Sequence, residues 1–204
     1  MGFDKNFLDL LASSSSTPGG GSVSALAGAL AAGLTSMVCN LTIGKKKYQE
    51  VSEELSSVLK ESEELREELT KLVDEDARAF DQVMKAYRLP KETPEEKEIR
   101  SQGIEEATKG ATQAPLEVME RALRVLELSW IVAEKGNPNS VSDAGVAALL
   151  GWSAVEGADL NVEINLSSLK DESFIKEIKA KCEEIKTKAQ TLLDEVLPLV
   201  RSKL

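Results

Sequence analysis

The chain contains no histidine in 204 residues. This removes the side chain that titrates most readily near neutral pH, the commonest transition-metal ligand, and the base of any serine–histidine pair. Acid–base chemistry must then fall to Asp, Glu, Lys, Tyr, Cys or the backbone. Cysteine is scarce too. Cys39 and Cys182 stand far apart and outside any Cys-x-x-Cys pattern, which argues against a disulfide framework and a zinc site. Aromatic residues make up only 4% of the chain, so Leu, Val, Ile and Ala must fill the core. Such a core suits closely packed helices better than sheets, which favour aromatic and β-branched residues. Positive charge is in deficit: 25 Lys and Arg face 35 Asp and Glu, for a net charge of −10. That balance argues against nucleic acid as the main partner.

Charge of either sign is missing from Leu10 to Gly44. Val23–Ile43 is long enough to cross a bilayer, and Lys45, Lys46 and Lys47 follow it. It is also rich in Ala, Gly, Ser and Thr, and reads better as a helix buried on all sides. No membrane association is expected. Met1–Leu11 carries Asp4 and Asp9, unlike a secretory signal, and a cytoplasmic location is expected.

The length suits one domain, residues 1–204. Gly2–Ala12 reads as a short amphipathic helix with Phe3, Phe7, Leu8 and Leu11 on one face. Ser13–Gly21 reads as a loop. A helix is predicted from Ser22 or Val23 to Ile43, with Gly44 as its stop. A long bundle helix of about 40 residues follows. Its seam has one heptad row through Leu55, Ser62, Leu69, Asp76 and Val83, and a second through Val58, Leu65, Leu72, Ala79 and Ala86. It ends before Pro90, and Pro94 suits the first turn of the next helix, which runs to about 134. The seam of that helix passes through Ile99, Ala107, Ala114, Val118, Val125 and Val132, and Pro115 should kink or locally break it. After a turn at Gly136–Asn139, Ser140 or Ser142 can cap a helix to about Ala158. Asn161–Leu166 reads as extended or irregular. The last helix, about 171–202, has a seam through Ile175, Ile178, Cys182, Ile185, Ala189, Leu192, Val196 and Leu199. The pattern is an all-α, up-and-down bundle of long helices. Val23–Ile43 and Val141–Ala158 carry small residues on nearly every face, and a homodimer that buries them between subunits is expected.

Five places in the chain are candidates for chemistry. Pro18-Gly19-Gly20-Gly21-Ser22 precedes a helix, where free N–H groups bind anions or carbonyl oxygens and glycine permits close approach. It is also what a plain flexible loop before a capped helix looks like. Gly136–Asp143 gathers two amides (Asn137, Asn139), two hydroxyls (Ser140, Ser142) and a carboxylate (Asp143) at a second helix start, where ordinary turn and cap chemistry favours the same residues. Lys45-Lys46-Lys47-Tyr48 is either a solvated helix end or a clamp for a ligand carboxylate. Asp76 falls on an apolar seam between Leu72 and Phe80, so it is either paired or functional. Asn161 and Asn165, four residues apart, are turn formers or a further pair of ligand contacts.

Taken in order, these segments resemble the cyclodeaminase part of the formiminotransferase-cyclodeaminase family. The resemblance rests on Phe7-Leu8, Pro18–Ala25, Met37–Tyr48, Asp76 with Ala79-Phe80, Pro115, Gly136–Ala144 and Asn161–Asn165. It covers nearly the whole chain, without a formiminotransferase domain. It implies an all-helical dimer that binds tetrahydrofolate or its polyglutamylated forms, with no cofactor and no metal. The implied activity is formiminotetrahydrofolate cyclodeaminase, which closes 5-formiminotetrahydrofolate to the 5,10-methenyl form and releases ammonia. Methenyltetrahydrofolate cyclohydrolase, giving 10-formyltetrahydrofolate, is the alternative, and a non-catalytic helical binding module is a second. On this reading Asp143 or Asp76 carries the proton. Gly20, Gly21, Ser22, Asn137, Asn139 and Asn165 position the substrate, Lys45 and Lys47 face its glutamate tail, and Tyr48 meets its ring system.

Overall fold

The computed structural model describes residues Lys5–Leu204. Phe3, expected on the first helical face, lies outside the described residues. The fold is all-α, with helices α1 (Lys5–Leu11), α2 (Gly20–Asn40), α3 (Ser52–Tyr87), α4 (Pro94–Lys135), α5 (Val141–Leu166) and α6 (Glu172–Lys203). Two short 3₁₀ segments, Lys46–Val51 and Pro138–Ser140, precede α3 and α5. Short links make successive long helices antiparallel. α2 packs on α3 and α5, α4 closes the bundle against all three, and α6 lies along α4 and α5.

Side-chain caps mark the starts of α4 and α6. Thr93 and Glu96 form a reciprocal capping box before Pro94, and Asp171 accepts from the Ser173 and Phe174 N–H groups at the start of α6. The α3 seam is buried from Leu55 to Leu72. Lysine closes the far end of α4: Lys203 Nζ donates to the Ala133 carbonyl at 2.8 Å and to that of Glu134. Arg124 on α4 pairs bidentately with Glu61 on α3 at 2.6 and 2.8 Å.

Several boundaries differ from the sequence reading. α2 begins at Gly20, inside the glycine run, and ends at Asn40; Gly44, at φ +80°, belongs to the turn beyond. α3 has 36 residues, not about 40. Ile99 is exposed rather than on the α4 seam, and on α6 Leu193 and Val200 take the fully buried places next to Leu192 and Leu199. Ser140 occupies the N-cap position of α5, but its side chain makes no capping hydrogen bond. The Asn137 side chain instead accepts from the Asn139 N–H and caps the preceding 3₁₀ turn.

Two differences shape the site. Asn161–Leu166 is helical, because nothing between Gly157 and Leu166 interrupts α5 and Val162 and Leu166 bury its inner face. Pro115 does not break α4. A helical proline lacks the N–H that would bond the carbonyl four residues back. That carbonyl, Ala111 O, accepts instead from Asn165 Nδ2 on α5 at 3.1 Å, so the lost bond is replaced from outside the helix.

α2 is long and apolar enough to cross a membrane by length and composition, with a mean hydropathy of 1.6 over its best window. In the fold its Ala25, Ala29, Ala32, Val38 and Cys39 face the core. Gly28 lets α2 approach Leu69 and Ala154 closely, and Gly145 does the same for α5 against Val200. One face of each helix stays open. Val23, Leu30 and Met37 on α2, Leu41 just past its end, and Val146, Leu149, Leu160 and Ile164 on α5 are exposed.

A buried ion pair ties α5 to α6: Lys186 Nζ lies 2.8 Å from Asp159 Oδ2, and Asp159 is 5% exposed. Removing the cation strands a buried carboxylate. Lys186→Met is expected to lower unfolding free energy by about 3 kcal/mol, and Lys186→Met with Asp159→Leu to regain most of that loss. Urea denaturation of the three proteins checks this; a single variant as stable as wild type would show the pair to be inert.

Candidate active site

A cleft of about 280 Å³ opens at the N-terminal end of α2. Its floor is Gly19–Gly21. α3 contributes Asp76, Phe80 and Val83, which share a face at spacings of four and three. α5 contributes Asn161, Ile164 and Asn165 from the opposite side, and α4 contributes Ala111.

The first N–H groups of α2 have no acceptor within the helix, and its N-cap, Gly19, has no side chain to offer. Asp76 reaches in from α3. Its Oδ2 accepts from Ser22 Oγ at 2.9 Å, and its carboxylate also accepts from the Ser22 backbone N–H. The Ser22 hydroxyl lies 3.0 Å from the Val73 carbonyl as well. Glycine makes this approach possible: a Cβ on Gly21 would overlap the Asp76 carboxylate. Gly20 leaves room in the same way for the Asn161 amide, whose Nδ2 would lie 3.3 Å from its Cβ. Burial pushes the Asp76 pKa above the ordinary carboxylate value, and the two bonds from Ser22 oppose it without cancelling it. The result is a half-buried acid, open to the cleft on one side and anchored to a helix N-terminus on the other.

The remaining sequence-derived residues gather at the other end of α2. Asn137, 7% exposed, donates from its N–H to Thr42 Oγ1 (2.9 Å) and from Nδ2 to the Leu41 carbonyl (3.2 Å). Its Oδ1 accepts from the Asn139 N–H and the Tyr48 hydroxyl, both at 3.2 Å. Asn137 is therefore a staple joining the 41–48 loop to the start of α5. It leaves Asn139 exposed and holds Tyr48 half-buried, with Lys47 Nζ 5.4 Å from the Tyr48 ring centre. Lys45 and Lys47 are exposed, and Asp143, half-buried, stands in the first turn of α5 at this same end.

Within one subunit the candidates thus form two groups. Gly20, Gly21, Asp76 and Asn165 line the cleft, with Ser22 fully buried behind Asp76. Lys45, Lys47, Tyr48, Asn137, Asn139 and Asp143 lie at the opposite end of α2, whose 21 residues span about 30 Å. The two candidate proton carriers are separated in the same way. Sequence reasoning did not single out Phe80, Val83 or Ile164 as cleft walls. The signal for Phe80 was its place one turn beyond Asp76 on the same helical face. It also did not connect Pro115 with Asn165, because a hydrogen bond between helices leaves no sequence spacing.

The raised Asp76 pKa has a thermodynamic consequence. The folded state holds this proton more tightly than the unfolded chain does. Asp76 therefore contributes stability that is complete below the usual carboxylate pKa of 3.8 and lost as pH rises through the higher folded value. In Asp76→Asn this contribution is absent. Relative to that variant, wild type is expected to lose thermal stability as pH is raised from about 4 to 7. Parallel melting curves across that range would refute the shift.

Three comparisons place the chain among known proteins. The family model for formiminotransferase-cyclodeaminase matches residues 4–184. A methenyltetrahydrofolate cyclohydrolase from Methylorubrum extorquens is 49% identical over 98% of this chain and 96% of its own length. The formimidoyltransferase-cyclodeaminase of Sus scrofa is 34% identical over 94% of this chain, which spans only 36% of that longer protein. The crystal structure of a formiminotetrahydrofolate cyclodeaminase from Thermotoga maritima superposes with a TM-score of 0.88 at 32% identity, covering 98% of this chain and 96% of that one. With its helical order, its acid-bearing cleft and these matches taken together, the chain belongs to the formiminotransferase-cyclodeaminase family.

Proposed function

We propose that this chain is an enzyme acting on the one-carbon bridge between N5 and N10 of a tetrahydrofolate, and that its reaction is the hydrolysis of 5,10-methenyltetrahydrofolate to 10-formyltetrahydrofolate. The observation that carries the chemistry is Asp76: a carboxyl group of raised pKa, held rigidly at the cleft floor. The choice of hydrolysis over deamination follows the 49% identity, end to end, with the Methylorubrum cyclohydrolase. This reverses the order of preference drawn from sequence alone.

The methenyl bridge is a cationic amidinium, and a carboxylate beside it offsets that charge. Asp76 as carboxylate takes a proton from the attacking water while the oxygen bonds to the bridge carbon. The tetrahedral intermediate then breaks its bond to N5, and protonated Asp76 supplies N5 with a proton. The formyl group remains on N10 and one proton leaves to solvent overall. A pKa raised toward working pH suits a group that must both take and give a proton. The same acid serves the second reading, cyclodeamination, which the match to the Thermotoga cyclodeaminase supports. There N10 attacks the formimino carbon and Asp76 protonates the departing nitrogen.

A 280 Å³ cleft is at the small end of ligand sites and is too small for a whole folate. A homodimer supplies the rest. The uncharged stripe of Val23, Leu30, Met37, Leu41, Val146 and Leu149 is a contiguous exposed apolar surface of the kind that marks an interface. A two-fold axis across the middle of α2 would exchange the two ends of that helix between subunits. Tyr48, Lys45, Lys47, Asn139 and Asp143 of a second copy would then face the Asp76 cleft. The lysines would meet the folate carboxylates, extended by polyglutamate where present, and Tyr48 the ring system.

Two experiments test this. Absorbance of the methenyl chromophore is expected to fall faster with the protein than without it, and Asp76→Asn to slow that loss at least 100-fold. Appearance of the chromophore from 5-formiminotetrahydrofolate, with no accelerated loss in water, would instead establish the deaminase. For the shared site, Asp76→Asn and a second inactive variant at the far end, Tyr48→Ala, are mixed 1:1 after reversible dissociation. Recovery of about a quarter of wild-type activity is expected, since half the dimers are mixed and each carries one intact site. No recovery from a mixture shown by mass spectrometry to contain heterodimers would exclude sharing.

A further inference from the structure

We propose that Asn161 and Asn165 are specificity residues that select the reduced pterin ring by accepting hydrogen bonds from two N–H donors on its edge, the 2-amino group and N8–H. The inference rests on the folate reading of the cleft.

The geometry starts from how each amide is tied down. Asn161 Nδ2 donates to the Gly157 carbonyl at 2.7 Å, one turn back on α5. Asn165 Nδ2 donates across to Ala111 O at 3.1 Å, the carbonyl that Pro115 leaves without its helical partner. A carbonyl accepts and never donates, so each amide commits its nitrogen to that bond and leaves its oxygen as an acceptor. Among the described residues neither Oδ1 accepts a hydrogen bond, and neither is sealed from solvent. Both side chains line the cleft. The site therefore presents two carbonyl acceptors one helical turn apart, with about 5–6 Å between their Cβ atoms.

A matching ligand edge needs two N–H donors separated by a ring atom rather than adjacent to each other. In a tetrahydropterin the 2-amino group and N8–H flank ring nitrogen N1 in that way. In an oxidised pterin N8 has no hydrogen and is itself an acceptor, so it would face an amide oxygen with like polarity. Phe80, 36% exposed on α3, supplies an apolar wall for the ring across the cleft from Ile164. Pro115 is a positioning residue here: it frees the one carbonyl that aims Asn165.

The test uses the full chain and a single-atom probe. Calorimetric titration compares tetrahydrofolate with its 8-deaza analogue, in which carbon replaces N8. Wild type is expected to bind tetrahydrofolate roughly tenfold more tightly, the scale of one hydrogen bond in a partly open site. Asn161→Leu and Asn165→Leu are both expected to weaken tetrahydrofolate binding, and one of them, at the residue that reads N8, to close the gap between the two ligands. Circular dichroism confirms that each variant is folded. Equal binding of both ligands by wild type overturns the inference and leaves the folate reading standing, as does a gap that survives in both variants. Absence of binding by either ligand to wild type overturns the folate reading and this inference with it.

Discussion

The contact between the Asp76 carboxylate and the N-terminus of α2 is the constraint on which the cleft depends. α2 begins on glycine, carries no charged residue and has no side-chain cap of its own. Its free N–H groups need an acceptor, and the acceptor comes from another helix. The arrangement joins α2 to α3, fixes the position of the acid and tunes its proton affinity. Desolvation raises that affinity while the Ser22 donors lower it, and burial prevails. Gly21 is required because Asp76 approaches so closely that no Cβ fits. The glycine run therefore forms the cleft floor by keeping the backbone accessible, and the carboxylate that approaches it belongs to α3.

Pro115 follows similar logic. Glycine exposes backbone donors by omitting a side chain, and proline releases a backbone acceptor by omitting a donor. Asp76 takes the Ser22 donors that Gly21 leaves within reach, and Asn165 takes the carbonyl that Pro115 leaves open; both side chains line one cleft. The irregular features of the chain thus converge at one place, while the regular heptads of α3 and the small-residue packing of α2 and α5 hold it in position. With no histidine available, a site made of one carboxyl group, two amides and backbone groups is a consistent chemical solution.

Small residues serve two purposes. Ala25, Ala32, Ala144, Ala148 and Gly28 let helices approach closely in the interior. On the outer face of α2, which carries no charge, and at Val146, Leu149, Leu160 and Ile164 of α5, apolar side chains stay exposed between the two groups of candidate residues. The stripe and the separation of those groups support the same symmetric pairing. α2 and α5 run antiparallel, so a two-fold operation would carry each end of the stripe onto the other.

The sequence by itself determined the helical class, the order and approximate bounds of the long helices, and the absence of imidazole chemistry. These follow from periodicity, caps and composition, which are local. Through the motif resemblance it also marked Gly20, Gly21, Asp76 and Asn165, which the fold brings to one cleft. It misjudged Asn161–Leu166, where two asparagines in a short polar stretch suggested a turn while burial of Val162 and Leu166 kept the chain helical. It allowed for a local break at Pro115, where α4 in fact continues, because the carbonyl's new partner lies 54 residues away in sequence. Only the tertiary structure separated Asp76 from Asp143 and joined Asp76 to Gly21. Those relations depend on how antiparallel helices are juxtaposed, and a helix of about 30 Å places residues that look alike in sequence at opposite ends of the molecule. The opening glycine motif was legible as a close-approach site; the identity of what approaches it was written in α3.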